Sequence, residues 1–202
     1  MKSTLSLPTQ LSRGNPMADR NVEESAELLD RARQGDEGAF SELVRDHQHD
    51  VFTLALRLLG NYELAADAAQ ETFIRAWRAL PRFRGDSALS TWLHRITVNT
   101  SWTLGRRAQR HSASSLDEAL FMDDGSAPTP ESSAEAADLR GRLRKAVSEL
   151  PDPQRAVVVL KDVYGWSHAE VAKALDISVT AAKVRLHRAR QKLKEKLWRE
   201  ME

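Results

Sequence analysis

The chain of 202 residues is 41% hydrophobic and 29% charged, which is typical of a globular protein with one domain or two small ones. The absence of cysteine excludes disulfides, thiolate metal sites and a cysteine nucleophile. Because no apolar run approaches the roughly 20 residues of a membrane span and the amino terminus lacks a signal-peptide core, no membrane insertion is expected.

The amino-terminal half is predicted to be helical after a disordered leader over residues 1–21, in which Met17 is a second candidate start site. Apolar residues recur at helical spacing over Glu24–Gln34, Ala39–Leu59, Tyr62–Leu80 and Leu89 to about Gln109. Asn61 should cap the third of these helices, and Pro81 should end it. These helices make residues 22–110 a first domain of the all-α class.

The segment over 111–138 is rich in Ser, Ala, Pro and acidic residues, which predicts a flexible acidic linker. Helical spacing resumes at Leu139, so residues 139–202 are predicted to form a second all-helical domain. Asp152 followed by proline predicts a helix capped by Asp152, and the valines after it keep helical rather than strand spacing. Ser167 to Glu170 has the form of a capping box, and Ser178 should cap the last helix.

Charge is segregated along the chain, although its net value is only +1. From Ser112 to Asp138 there are seven acidic residues and no Lys or Arg, whereas Lys183–Arg199 carries eight basic residues against one acid. Residues 89–110 contain four arginines and no acid. Two basic segments around an acidic one indicate a polyanion as the partner of the basic helices.

A short helix, a tight turn and a long basic helix at the carboxyl end have the form of a helix-turn-helix. On a helical wheel of about 3.6 residues per turn, one face of the last helix is apolar and consists of Ala182, Leu186, Ala189 and Leu193. The opposite face and its flanks, which suit the major groove of DNA, carry Lys183, Val184, Arg185, His187 and Arg188. The alternative is a solvated basic helix, placed favourably for its dipole.

The fourth helix combines a core stripe with a second stripe of aromatic, amide and arginine side chains. The second stripe follows spacings of three and four residues and consists of Trp92, Arg95, Asn99, Trp102 and Arg106. Aromatic faces stack unpaired bases, arginine binds phosphates and asparagine can read a base edge, so this face is predicted to bind single-stranded nucleic acid. The alternative is that both tryptophans lie buried against a neighbouring helix.

The helix over 62–80 has a polar face with Asp67, Glu71, Arg75 and Arg78, opposite Phe73, Trp77 and Leu80. Asp67 and Glu71 lie one turn apart and repel each other, which indicates an external partner for this face. The alternative is internal pairing between Glu71 and Arg75, four residues apart.

Two stretches of the chain resemble a known family. DAAQETFIRAWRALPRFRGDSALSTWLHRITVNT, residues 67–100, strongly resembles region 2 of the extracytoplasmic-function sigma factors of bacterial RNA polymerase. LPDPQRAVVVLKDVYGWSHAEVAKALDISVTAAKVRLHRARQKLK, which begins at Leu150, resembles their region 4. The resemblance covers about 22–110 and 139–197, with the two regions in the family's order.

The resemblance implies a sigma factor that binds core RNA polymerase and directs promoter-specific initiation, without cofactor, metal or catalytic activity. Region 2 of the family binds the clamp helices of the large polymerase subunit and melts the minus-ten element, whereas region 4 binds the polymerase flap and reads the minus-thirty-five element. The residues thereby implicated are Asp67, Gln70 and Glu71 for polymerase, Arg84, Trp92, Arg95, Asn99, Trp102 and Arg106 for the minus-ten element, and Lys183, Val184, Arg185, His187 and Arg188 for the minus-thirty-five element. Further implications are an anti-sigma factor, a cytoplasmic location and a role in stress response.

The turn of the helix-turn-helix departs from the family's usual Gly-x-Pro-x-Gly-Thr pattern, since Asp176 stands at its start and Val184 replaces a small polar residue on the reading face. Asp176 tolerates a left-handed backbone better than most residues do. The rival function is a helix-turn-helix regulator that acts on duplex DNA without polymerase and would not need the tryptophan stripe. A metal site at His47 and His49 is disfavoured because these side chains lie about 200° apart on a helix.

Overall fold

The computed structural model describes residues 16–111 and 134–199, with side chains over 25–110 and 138–198. Over these ranges the chain is helical and has no strand, which confirms the all-α prediction. The first domain consists of α1 (Pro16–Arg33), α2 (Glu37–Leu59), α3 (Tyr62–Ala79), a 3-10 turn (Leu80–Arg82) and α4 (Leu89–His111). The second consists of α5 (Ala134–Ser148), α6 (Asp152–Val158), a π turn (Val159–Val163), α7 (His168–Ala174) and α8 (Val179–Arg199).

Two helices begin earlier than the sequence predicts. α1 begins at Pro16, inside the segment predicted as a disordered leader, and α5 begins at Ala134, inside the predicted linker. The added turn of α5 reads AEAAD, which is rich in alanine, the strongest helix former. The rest of the leader and linker predictions, over 1–15 and 112–133, lies outside the described residues.

Short side chains bring the helices of the first domain close together. The stripe that α3 turns into the core is fully buried and consists of Ala65, Ala68, Thr72 and Ala76. Asn61 caps α3 as predicted, because its side chain accepts a 2.9 Å hydrogen bond from the Leu64 amide. α3 therefore packs tightly against α2 and α4 and fixes the direction of its polar face.

The carboxyl end of α2 faces the second domain. α2 ends at Gly60, whose left-handed backbone (φ 67°) is the usual conformation after a helix. Its amide donates to the Leu56 carbonyl at 2.8 Å. The last carbonyls of the helix, at Leu58 and Leu59, accept hydrogen bonds from Arg155 of the second domain.

The helix starts around the helix-turn-helix follow the predicted caps. Ser167 and Glu170 form the reciprocal capping box, with hydrogen bonds of 3.2 and 2.9 Å. The Ser178 hydroxyl accepts a 3.0 Å hydrogen bond from the Ala181 amide at the start of α8. In the turn between them, Asp176 adopts the left-handed backbone with φ 52°.

The start of α6 differs from the prediction that Asp152 caps it. Pro151 occupies the cap position without a side-chain hydrogen bond, and Asp152 is the first residue of the helix. The Asp152 carboxylate binds Arg155 at 2.5 Å instead of an amide, because that guanidinium lies one turn further on the same side. The valine run is helical as predicted, and it ends in a π turn in which the Tyr164 amide donates to the Val159 carbonyl at 3.1 Å.

The two domains, predicted as separate units on a linker, share one apolar core. The first domain contributes Leu54, Leu58 and Val98, with Trp102 packed against them. Residues of all four helices of the second domain complete the cluster, among them Ala156 and Leu175. None of the described helices has the length and apolar character needed to cross a bilayer.

Candidate nucleic-acid and polymerase interface

The polar face of α3 is exposed and only partly neutralised. Asp67 and Gln70 are exposed, and Asp67 makes no ion pair within the described part of the chain. Glu71 is half-buried and pairs with Arg75 at 2.6 Å, which is the internal pairing that the sequence left as an alternative. Of the two neighbouring carboxylates, Asp67 is thus the one that carries an unpaired charge.

An apolar groove lies beside this face, between α2 and α3. The rings of Phe40 and Trp77 line it with centroids 4.8 Å apart, and Ile74 is 38% exposed at its edge. Phe73 and Trp77, which lie opposite the polar face in the sequence, are only half-buried. The alanine stripe brings α3 so close to α2 that these larger rings lie at the edge of the contact and not within it.

The stripe on α4 divides into exposed polar residues and packed tryptophans. Arg95, Asn99 and Arg106 are exposed, as the sequence predicts, and so is Arg84 in the loop before the helix. Trp92 is half-buried, and its ring packs on Phe83 with centroids 4.9 Å apart. The alternative reading, in which the tryptophans pack against neighbours, therefore describes Trp92.

Trp102 is half-buried for a different reason, because it packs against the second domain. Its indole Nε1 is buried and has no hydrogen-bond partner within the described residues. Near it, Arg95 donates to the Glu170 carboxylate of α7 at 3.4 Å, and Asn99 shares a groove with Trp166 of the second domain. The capping hydrogen bonds from Ser167 are the main cause of a lowered pKa for Glu170, with Arg95 adding to the effect.

The last helix, α8, presents the face that the helical wheel predicts. Its inner face is buried, with exposures of 8% or less, and consists of Ala182, Leu186, Ala189 and Leu193. Lys183, His187 and Arg188 are exposed, and Val184 is 42% exposed between them. Arg185 is half-buried, and its Nη1 is buried without a hydrogen-bond partner within the described residues.

Comparison with known proteins identifies the two domains. Residues 43–111 match the sigma-70 region 2 family, and residues 140–193 match the sigma-70 region 4 family. The ECF RNA polymerase sigma-E factor of Escherichia coli K12 is 34% identical over 177 residues, which are 84% of this chain and 92% of that protein. The chain belongs to the extracytoplasmic-function family of sigma factors.

Other relatives of this sigma factor agree. The RNA polymerase sigma-H factor of Pseudomonas aeruginosa is 32% identical over 182 residues, which are 87% of this chain and 94% of that protein. The sigma factor RpoE of Bartonella quintana, solved in complex with the anti-sigma factor NepR, superposes with a TM-score of 0.60 at 25% identity, over 78% of this chain and 96% of that one. CnrH, solved with the cytosolic domain of CnrY, gives 0.51 at 31% identity, over 84% and 94%.

The protein therefore has the function that its resemblance to the sigma factors implies. The sigma factor binds core RNA polymerase and directs promoter-specific transcription initiation. Its family consists of initiation factors and not of enzymes. The rival reading as a regulator that acts without polymerase is not favoured.

Sequence reasoning missed one buried functional group of the sigma factor. Arg155 is 5% exposed and contacts both domains. It belongs to no apolar or polar stripe in the sequence, so no sequence pattern indicates that it is buried between them. The available signal was the three-residue spacing from Asp152, which allows an ion pair within one helical turn. That spacing explains the pair within the second domain but not the contact with the first.

Proposed function

We propose that this sigma factor binds its polymerase and its two promoter elements through three different surfaces. The polar face of α3 binds core polymerase, α4 with the loop before it binds the melted minus-ten strand, and α8 reads the minus-thirty-five duplex. The observation that carries the proposal is the difference in exposed chemistry between the two basic helices. α4 exposes an amide between arginines, whereas α8 exposes basic groups around a valine. Residues 22–110 and 139–202 are the corresponding functional units.

For polymerase, the support is an unpaired acid beside an apolar groove. Asp67 offers a carboxylate that has no ion-pair partner among the described residues, and Gln70 adds an exposed amide one turn away. Glu71 can exchange its bond to Arg75 for a partner, because an exposed pair of this spacing contributes only about 0.2–0.5 kcal/mol. This surface would suit a partner that presents a basic group for Asp67 and an apolar side chain for the groove, and the clamp helices of the large subunit are proposed as that partner.

For the minus-ten strand, the support is the exposed row on α4. Arg84, Arg95 and Arg106 can bind phosphates spaced along a strand, and Asn99 stands among them where a splayed-out base can be read. Trp92 and Trp102 are half-buried, so each offers only part of its ring for stacking a base. Single-strand selectivity then rests on Asn99 more than on the tryptophans.

For the minus-thirty-five duplex, the support is the outward face of α8. Arg185 and Arg188 are able to bind guanine O6 and N7 in the major groove, and Val184 can contact a thymine methyl group. Lys183 and His187 flank them toward the phosphates. The sigma factor acts in the cytoplasm, where its polymerase and promoters are, and needs neither a metal nor a cofactor. The solved relative RpoE was crystallised with the anti-sigma factor NepR, which supports an anti-sigma factor as a further partner.

Run-off transcription with core polymerase tests the proposal. We expect a promoter-specific transcript from the full chain and none from Asp67→Lys with Glu71→Lys, which should lose core binding. Glu42→Lys with Asp46→Lys is the matched control, because these α2 residues are exposed acids with the same four-residue spacing. Unchanged core affinity in the α3 variant would refute the polymerase site. Duplex binding without any transcript would favour the rival regulator.

A further inference from the structure

An ion pair joins the edge of α8 to the π turn that precedes the helix-turn-helix. Arg190 Nε donates to Asp162 Oδ2 at 3.0 Å, and Arg190 Nη2 donates to Asp162 Oδ1 at 2.5 Å. The hydrogen bond to Asp162 and the charge of that carboxylate raise the pKa of Arg190. Because one guanidinium engages both carboxylate oxygens, the pair fixes the direction of the contact as well as its length.

The acidic partner of this pair stands on a rigid base. The four apolar residues before the surface part of the π turn, Val157–Leu160, are each 4% exposed or less. Asp162 follows Leu160 by two residues, and the π turn that contains it is closed by the hydrogen bond from the Tyr164 amide to the Val159 carbonyl. Since the backbone before it is anchored in the core, Asp162 is a fixed acceptor for α8.

The basic partner lies on an edge of α8 that belongs to the proposed reading face. Arg190 follows His187 by three residues and Lys183 by seven, so the three lie within about 60° of one another around the helix axis. Arg188 is two residues before Arg190, or about 3 Å along the axis. A rotation of α8 that moves these reading residues therefore also strains the contact with Asp162.

The apolar face of α8 fixes the position of the helix more firmly than its rotation. Two of its four buried residues are Ala182 and Ala189, whose short side chains form shallow ridges against α6 and α7. A rotation of about 15° moves an atom about 6 Å from the helix axis by about 1.5 Å. A hydrogen bond to a base edge does not survive a shift of that size, so recognition needs a further contact that resists rotation.

We propose that Asp162 is a positioning residue for the minus-thirty-five duplex, which fixes the rotation of α8 through Arg190 and so aligns Arg188 with the base edges. This inference rests on the proposed function, because it takes α8 as the reading helix. The pair also keeps the Arg190 cation from the phosphates, whose contacts carry no sequence information. Asp162 thus lowers the affinity for DNA of any sequence and raises selectivity.

Affinities of the full chain for two duplexes test this role. One duplex is selected from a randomised pool, and the other has the same bases in scrambled order. Asp162→Asn should raise affinity for the scrambled duplex, because it removes a negative charge and frees Arg190 for a phosphate. The slope of log affinity against log salt should steepen by up to about 0.9. The ratio of selected to scrambled affinity should fall about two- to fivefold.

Arg190→Lys separates geometry from charge. Lysine keeps the positive charge but replaces the planar fork with a single ammonium group, which holds a carboxylate in no fixed direction. The selectivity ratio should fall as in Asp162→Asn, whereas the scrambled affinity and the salt slope should stay at the values of the parent. Asp162→Glu keeps the charge and both oxygens, so its ratio should lie closer to the parent than that of Asp162→Asn.

The matched control is Glu149→Gln. Glu149 pairs with Lys196, which is also on α8 but eight residues beyond Arg188, or about 12 Å along the axis. This change removes the same charge and the same kind of contact away from the reading residues. It should raise the affinity for both duplexes together and leave their ratio unchanged.

The positioning role and the proposed function fail in different ways. If the parent binds both duplexes equally, α8 does not read sequence, and the proposed reading function is refuted together with the role of Asp162. If the parent prefers the selected duplex but Asp162→Asn and Arg190→Lys keep its ratio, the reading function stands and the positioning role is refuted. Equal losses of affinity for both duplexes, with a lower melting temperature by circular dichroism, would show that the pair only supports the fold.

Discussion

Helices α4 and α8 are similar in charge and hydrophobic pattern but differ in what packs around them. Both are basic and amphipathic, with 23 and 21 residues. α8 buries one face and leaves the other to solvent, whereas α4 is buried on two sides, since Val98 and Trp102 face the second domain. A hydrophobic pattern identifies the face that a helix turns to its own domain. It does not reveal that a second domain covers the face beside it.

The largest expected effect separates the two tryptophans of α4. Trp92 packs on Phe83 within the first domain, and its truncation to alanine should lower the free energy of unfolding by about 3 kcal/mol, the lower end for a buried tryptophan. Trp102→Ala should cost the first domain less and should instead loosen the domain contact. Urea unfolding measured with the interdomain distance checks this. Equal losses of stability in Trp92→Ala and Trp102→Ala would show that the two tryptophans do not differ in this way.

The next effect concerns recognition of duplex DNA by α8. Arg188→Ala should cost about 1–3 kcal/mol on the preferred duplex and relax its sequence preference, because it removes a contact to a base. Lys194→Ala should cost less and act on all sequences alike, since Lys194 lies near the Trp198 ring, at 5.9 Å, at the far end of α8. The duplex is first selected from a randomised pool with the full chain. A larger, sequence-selective loss at Lys194 would mean that another face of α8 enters the groove.

A smaller effect tests the first turn of α8. Ser178→Ala removes the hydroxyl that accepts from the Ala181 amide and should lower stability by about 1 kcal/mol. Fraying of this turn should weaken duplex binding through Lys183 and leave single-strand binding by α4 unchanged. Ser178→Asp, which restores an acceptor, should recover most of the loss. If the aspartate variant stays as weak as the alanine variant, the cap does not position the helix.

The smallest effect is a pH dependence of the domain contact. Burial lowers the pKa of His94, His47 adds to the lowering, and Asp50 opposes it. The neutral ring therefore suits the domain contact, in which His94 packs on Tyr164. The stability of this contact is fully present above the ordinary pKa of about 6.5 and declines as the pH falls through the lowered value. The fraction of chains with the two domains in contact should decrease from about pH 7.5 to about pH 5.5. His94→Gln should remove this change, and an increase in acid of the fraction with the domains in contact would contradict it.

The parts of the fold that were predictable depend on near neighbours in sequence. The buried face of α8, the cap at Asn61 and the capping box at Ser167 follow from spacings of three and four residues. The contact of Arg155 does not, because its acceptors across the interface are main-chain carbonyls 96 and 97 residues earlier. Every residue type has a main-chain carbonyl, so the identity of a residue does not show whether its carbonyl accepts a hydrogen bond from Arg155.

The use of carbonyls as acceptors determines how the contact responds to variation. A substitution at Leu58 or Leu59 changes a side chain and leaves the main-chain acceptor in place. Sequence variation at these positions therefore cannot directly remove the hydrogen bond from Arg155. Gly60 is the exception: its φ of 67° strains any other residue, and an added Cβ would lie 3.4 Å from the Arg155 guanidinium. Substitutions that disrupt this carbonyl contact directly are therefore concentrated at Gly60 and Arg155.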